Sequence, residues 1–264
     1  MRIFHSNGWF KVLSILHNLF PEKSGLKCCC WPGDDLFIPI PVLEMEKGIM
    51  TTEDDRLFEE SRNTAERYVE SCRKEFWRNV FQVELDYLVE HLEESRDVLS
   101  VGCGPAMIEG ELANRGFRVT GLDVSREALD YAPVQVRTVT ARIEDVPLPG
   151  SSFDAVIYVV SLQFIENYRK ALEKTFSVLR PGGRIIVMLL NPQSNFFREK
   201  NRDHDSYVRR IRHTDLQEIE QAMSEKFQIR AEYFMGVREG KLFESQDPGW
   251  AALYVLTGMK PVGK

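Results

Sequence analysis

"VLSVGCGPAMIEGELANRGFRVTGLDVS", residues 98–125, decides the fold. The run of apolar or small residues Val98–Val101 enters Gly102-Cys103-Gly104, and a stretch with helical character follows. It stops at Gly116, a residue that tolerates the left-handed conformation ending many helices. A second apolar run then closes on Asp123. Strand, glycine turn, helix and strand ending in a carboxylate outline a nucleotide crevice at the edge of an open α/β sheet. Glycines let the backbone approach a ligand closely, and the carboxylate can accept two ribose hydroxyls. A pyrophosphate-binding loop wants G-x-G-x-x-G, and Met107 stands where its third glycine would be, which disfavours a dinucleotide.

The alternation continues downstream. Ser125 can cap the helix "REALDYA", Pro133 ends it, and "VQVRTVTA" reads as a third strand. "FDAVIYVV", the helix "NYRKALEKTFSVL" and the strand "GRIIVMLL" follow, the last apolar enough to be buried on both faces. After a polar stretch at 191–213, the helix "TDLQEIEQAMSEKF" precedes two final strands, "QIRAEYFMGV" and "AALYVLTGM". Repeated β-α-β units predict one α/β domain with a doubly wound, mostly parallel, seven-stranded sheet. Upstream, residues 53–94 have almost no Gly or Pro and space Phe76, Val80, Val83, Tyr87 and His91 as helices do. Two capping helices are expected there. The Pro- and Gly-punctuated stretch 21–50 is a connector, so 1–50 form an N-terminal extension and 51–264 the main domain.

Composition narrows the function. The chain has 264 residues, of which 43% are hydrophobic, and a formal charge of −6. That acidity excludes a broad footprint for duplex nucleic acid, which draws on clustered Lys and Arg. Phe10, Leu13, Leu16 and Phe20 give an amphipathic N-terminal helix, but Lys11, Ser14, His17 and Asn18 break it short of a membrane span or a signal peptide. Its polar face lacks the Lys/Arg richness of an interfacial helix, so it is expected to cover the main domain. Cys28, Cys29 and Cys30 are consecutive, which disfavours disulfides and points to a reducing, cytoplasmic setting. They lack the paired C-x-x-C of a zinc site. "DHD" at 203–205 with His213 lacks a fixing i, i+4 spacing, so no metal is expected. Cys103 reads as a small buried hydrophobe.

Four blocks in order resemble the class I S-adenosylmethionine-dependent methyltransferases of the ubiquinone/menaquinone-biosynthesis type. They are "VLSVGCGPA", "VTGLDVS", "ARIEDVPLPGSSFDAVIYVVSLQFI" and "VLRPGGRIIV". The resemblance implies a Rossmann-like fold, S-adenosylmethionine as cofactor and methyl transfer. It places Gly102 and Gly104 against the methionyl part, Asp123 on the ribose, Val124 and Ile143 beside adenine, and Tyr158 and Val159 near the transferable methyl. Pro181, Gly182 and Gly183 become a structural turn. The family's pattern differs at three positions, held here by Ser100 for an acid, Ala106 for a glycine and Arg142 for an acid. Ser100 is left to hydrogen-bond in the acid's place, and Glu144 or Asp145 to accept from the adenine amino group, which a guanidinium cannot do.

No catalytic triad is expected, because orientation in line with the methyl carbon supplies most of what the reaction needs. Tyr68, Gln163, Tyr207 and His213 are the candidates for substrate contact or proton transfer. "FFREKNRDHDSYVRRIRH", residues 196–213, concentrates Arg198, Lys200, Arg202, Arg209, Arg210 and Arg212 beside the expected substrate mouth. These residues either form a solvated face or hold an anionic group of a small-molecule acceptor. A protein acceptor, or a cofactor-binding module without transfer, are the alternatives.

Overall fold

A computed structural model describes residues 65–204 and 206–262. The N-terminal extension, with its amphipathic helix and cysteine run, lies outside the described residues, as does the start of the 53–94 cap. The described chain is helical over 65–72 and continues into α1 (Glu75–Leu92). Then come β1 (Asp97–Val101), α2 (Met107–Asn114), β2 (Arg118–Asp123), α3 (Arg126–Leu129), β3 (Arg137–Thr140) and β4 (Phe153–Val159). The second half holds α4 (Tyr168–Val178), β5 (Leu179–Leu190), α5 (Asn195–Arg202), α6 (Leu216–Ser224), β6 (Gln228–Arg238), β7 (Lys241–Phe243) and β8 (Ala251–Met259). Single 3-10 turns lie at Leu162–Phe164 and Tyr207–Arg210.

All these strands join one sheet in the order β3-β2-β1-β4-β5-β8-β6-β7. From β3 to β5 neighbours run parallel, while β8 lies antiparallel between β5 and β6. The sheet has eight strands among the described residues, which corrects the expected seven. The addition is β7. Arg238 pairs with Lys241 across Glu239 and Gly240, both at positive φ (50° and 71°). Two left-handed residues in a two-residue loop make the primed turn whose twist suits a hairpin.

Side-chain alternation divides the core into two layers. Val98, Ala155, Ile157, Ile186 and Met188 share a core with Val80, Leu88 and Leu92 of α1 and with Ile108 and Leu112 of α2. The two-residue period sends Leu99, Val156 and Tyr158 to the opposite face. There the Tyr158 hydroxyl meets Thr175 Oγ1 of α4 at 2.7 Å. Burial on both faces is why these strands read as unbroken apolar runs. Strand order reverses between β1, whose other neighbour is β2, and β4, whose other neighbour is β5. In such sheets a ligand crevice opens beyond the carboxyl ends at that point.

Candidate functional site

At the switch point the chain leaves β1 through Gly102 (φ 73°), Gly104 (φ 54°) and Ala106 (φ 55°) before α2 begins. Glycine adopts this left-handed region freely; alanine pays about 1–2 kcal/mol. Ala106 therefore stands at the position where the resembled family has its third glycine, in the conformation that favours one. The loop is fastened to β2: Gly102 N–H donates to Leu122 O at 2.6 Å. Asp123 finishes the latch, with Oδ2 accepting from Gly104 N–H and Oδ1 from Ser125 N–H, both at 2.8 Å. Each carboxylate oxygen keeps lone-pair capacity for a further donor. Ser161, just beyond β4, covers Gly102 so closely that a Cβ there would stand 2.5 Å from Ser161 Cβ. Its neighbour Val160 sits at φ 50°, an outlier for a β-branched residue.

A cavity of about 770 Å³ opens beside this loop, bordered by Gly102, Cys103, Pro105, Val159 and Val160. That volume lies within the range of about 300–1,000 Å³ typical of small-molecule sites. Phe76, Trp77 and Phe81 of α1, with Phe164, Phe196 and Tyr207, supply its rings. Trp77 lies 6.4 Å from Phe81 and 6.3 Å from Tyr207, centroid to centroid, and Phe164 stacks on Tyr207 at 6.4 Å. The exposed Arg67 and Arg210 and the half-buried Lys200 also border it.

The residues singled out from sequence separate into groups. Tyr68 and Tyr207 border the cavity. Gln163 and His213 do not. Gln163 is fully buried: its Nε2 donates to Leu190 O and His213 O, and its Oε1 accepts from Leu190 N–H. It is a bracket between chain segments. His213 Nε2 bonds the Ile165 carbonyl at 2.9 Å, and its ring meets Tyr168 edge-on. Tyr158 points its ring toward α4, so only its backbone faces the crevice end of β4, whereas Val159 borders the cavity directly. Val124 is exposed beyond β2 and Ile143 is buried. The Glu144 side chain is nearly buried and accepts from Arg142 at 3.2 Å, while Asp145 lies exposed on Lys170. Of the three C-terminal arginines, only Arg210 borders the cavity; Arg209 donates to Asn201 O. No group of three or more potential metal ligands occurs among the described residues.

Two carboxylates in the cavity were not anticipated. Glu109 of α2 is buried and accepts from Ser100 Oγ at 2.5 Å. Ser100 thus holds an acid where the resembled family carries one itself. Burial pushes the Glu109 carboxyl up to about 7. Glu84 of α1 is buried too, and its Oε2 has no hydrogen-bond partner. Burial first, then the Glu109 charge, raise it to about 8. The signal was available: Val80, Glu84, Leu88 and Leu92 form an i, i+4 stripe on the buried face of α1, with one charge in an apolar row.

Comparison with known proteins agrees with this geometry. Residues 99–187 match the model of a methyltransferase domain. The ubiquinone biosynthesis O-methyltransferase of Alkalilimnicola ehrlichii is 32% identical over 44% of this chain and 51% of its own length. The demethylmenaquinone methyltransferase of Tropheryma whipplei is 35% identical over 34% of this chain and 40% of its own. A biotin biosynthesis bifunctional protein of Cellvibrio japonicus is 29% identical over 53% of this chain and 29% of its own. The chain spans less than two thirds of the length of these curated relatives. Among solved structures, a Thermotoga maritima S-adenosylmethionine-dependent methyltransferase, described as a possible histamine N-methyltransferase, superposes with TM-score 0.63. It is 22% identical and covers 78% of this chain and 98% of its own. An Archaeoglobus fulgidus methyltransferase of the same cofactor class gives TM-score 0.58 at 15% identity, covering 69% and 94%. The segment is a methyltransferase domain, the fold is that of the class I methyltransferases, and the cofactor of that class is S-adenosylmethionine.

Proposed function

We propose that the protein transfers a methyl group from S-adenosylmethionine to a small-molecule acceptor held in the aromatic cavity. The observation that carries this reading is the junction at β1: the glycine loop latched by Asp123 borders that cavity through Gly102, Cys103 and Pro105. The residues present fit the cofactor. Asp123 retains lone pairs for ribose hydroxyls, and Gly102 and Gly104 put no side chain between their backbone and a methionyl group. Ile143 and Val124 flank the adenine side, with Glu144 the inward carboxylate available to its amino group. Bound there, the cofactor supplies an activated methyl on a sulfonium leaving group.

The chain's own work is to orient and to exclude water. Aromatic walls fix the acceptor body against the Val159 and Val160 end of β4. Holding a nucleophile in line with the methyl carbon accounts for about 7–11 kcal/mol of barrier lowering. An anionic group on the acceptor would lie at Arg210 and Lys200, the basic side chains bordering the cavity beside α5. No side chain need be a covalent nucleophile.

Incubating the protein with methyl-labelled S-adenosylmethionine and a fractionated cell extract tests the reading. Label is expected in the small-molecule fraction. Label in protein would replace the acceptor class, and no transfer by a protein that binds the cofactor would make it a non-catalytic module.

A further inference from the structure

We infer that the acceptor is an amine: a primary or secondary amine on an aromatic or flat apolar body, with its nitrogen seated at Glu84. That this amine is the methyl acceptor rests on the function proposed above; its binding at Glu84 does not. The cavity holds a buried carboxylate oxygen without a partner, and burial of such a group is costly unless a donor pairs with it. Its own helix offers only Val80 and Leu88 on either side of it along the stripe. From α2 comes Glu109, a second acid, already spending one oxygen on Ser100. Tyr68 and Tyr207 are phenols whose ionisation the Glu84 charge opposes, and Cys72 and Cys103 are thiols bordering the same space. The other charged groups of the cavity border are Arg67, Lys200, Asp203 and Arg210, and neither Lys200 nor Arg210 reaches Glu84 Oε2. Both influences on Glu84, burial and Glu109, act against its charge.

A cationic or strongly donating ligand relieves that arrangement. An anion would bring a further negative charge beside two buried acids, and an alcohol, which can pair with Glu84 as the neutral acid, brings no counter-charge for the ionised form. An ammonium supplies several N–H donors to Glu84 and is attracted to the faces of Trp77, Phe81 and Tyr207. At neutral pH the free protein holds Glu84 as the acid, so binding an ammonium expels one proton and leaves an ammonium–carboxylate pair. For transfer, one N–H proton returns to Glu84, freeing the nitrogen lone pair. The N–C bond forms as the C–S bond breaks, its electron pair staying on sulfur. The methylated ammonium leaves and Glu84 is again the acid.

Calorimetry on the full chain at pH 7 tests this with 2-phenylethylamine, its alcohol 2-phenylethanol and the acid phenylacetate. Buffers of different ionisation enthalpy count the protons exchanged. We expect the amine to bind at least tenfold more tightly than either analogue, with close to one proton released. In Glu84→Gln both the preference and the proton release should vanish, while S-adenosylhomocysteine binds as before. Equal affinities, a preference for phenylacetate, or binding of none of the three would overturn the inference. So would a loss of S-adenosylhomocysteine binding in Glu84→Gln, because Glu84 would then serve the cofactor's own ammonium. Failure of S-adenosylhomocysteine to bind the native protein would strike the methyl-transfer reading instead, and the amine selectivity of the native protein would still decide the role of Glu84.

Discussion

Glu84→Gln should flatten the dependence of stability on pH. In the folded chain the Glu84 carboxyl is pushed up to about 8 from an ordinary 4.5, first by burial and then by Glu109. Between those values the native state binds a proton that the unfolded chain has lost, so stability falls as pH rises through the window. Below the lower value both states are protonated and the contribution is fully present; above the upper one both are ionised and no more is lost. At about 1.4 kcal/mol per pH unit the loss approaches about 5 kcal/mol, a large share of the ~5–15 kcal/mol that holds a domain folded. The amide keeps the shape of the side chain and has no charge to desolvate. Urea unfolding followed by circular dichroism, at about pH 5 and about pH 8.5, measures the difference. The two proteins should differ little at the lower pH, with the variant more stable by several kcal/mol at the higher. Glu109, pushed to about 7 by burial, titrates in both and leaves a shallower shared slope. Parallel curves for the two proteins would refute the burial of an uncompensated carboxylate in the cavity.

Other perturbations separate the parts of the site. Gly102→Ala must hold φ 73° and push its Cβ into Ser161; thermal denaturation should give a loss of about 2–4 kcal/mol from left-handed strain plus overpacking, and a loss under about 0.5 kcal/mol would contradict the close cover. Gln163→Leu removes three side-chain hydrogen bonds, two of them buried, and strands their backbone partners, so denaturant titration should show about 3 kcal/mol or more of destabilisation; a catalytic defect in a protein of native stability would restore Gln163 as a site residue. For an acceptor that carries an anionic group besides its amine, Arg210→Gln should raise the KM with cofactor affinity unchanged, less so at high salt as screening shortens the reach of charge. Arg209→Gln should leave that KM alone, and equal effects at both positions would make the segment a diffuse charged face.

Parallel strands announce themselves, and the rest of the chain shows why other features do not. β1, β4 and β5 are buried on both faces, so their apolar runs were readable, and Gly102, Gly104 and Asp123 marked the crevice. β7 is a three-residue strand beginning with Lys241, too short for any periodicity; only the Glu239-Gly240 turn signalled it. α5 was hidden in the polar stretch because Phe196 and Phe197 are buried among exposed charges, behind a Ser194 cap. Side-chain direction was the harder problem. Tyr158 and Val159 are adjacent in sequence, yet alternation turns one toward α4 and the other into the cavity. Gln163 and His213 do lie close together, but they spend their polar atoms on backbone. Glu84 is not legible in the apolar spacing that runs through Val83 and Tyr87, because it sits on the neighbouring 80-84-88-92 stripe as the one charge in an apolar row.

Calorimetric titration of S-adenosylhomocysteine into the native protein and into Asp123→Ala, each first checked for native circular dichroism, tests the central claim most directly. The account predicts one-to-one binding to the native chain and no measurable heat with NAD. In the variant, loss of two charge-assisted hydrogen bonds to ribose, about 3 kcal/mol in all, should weaken binding by about a hundredfold. An unchanged dissociation constant in a folded Asp123→Ala protein, or tighter binding of NAD than of S-adenosylhomocysteine, would contradict it.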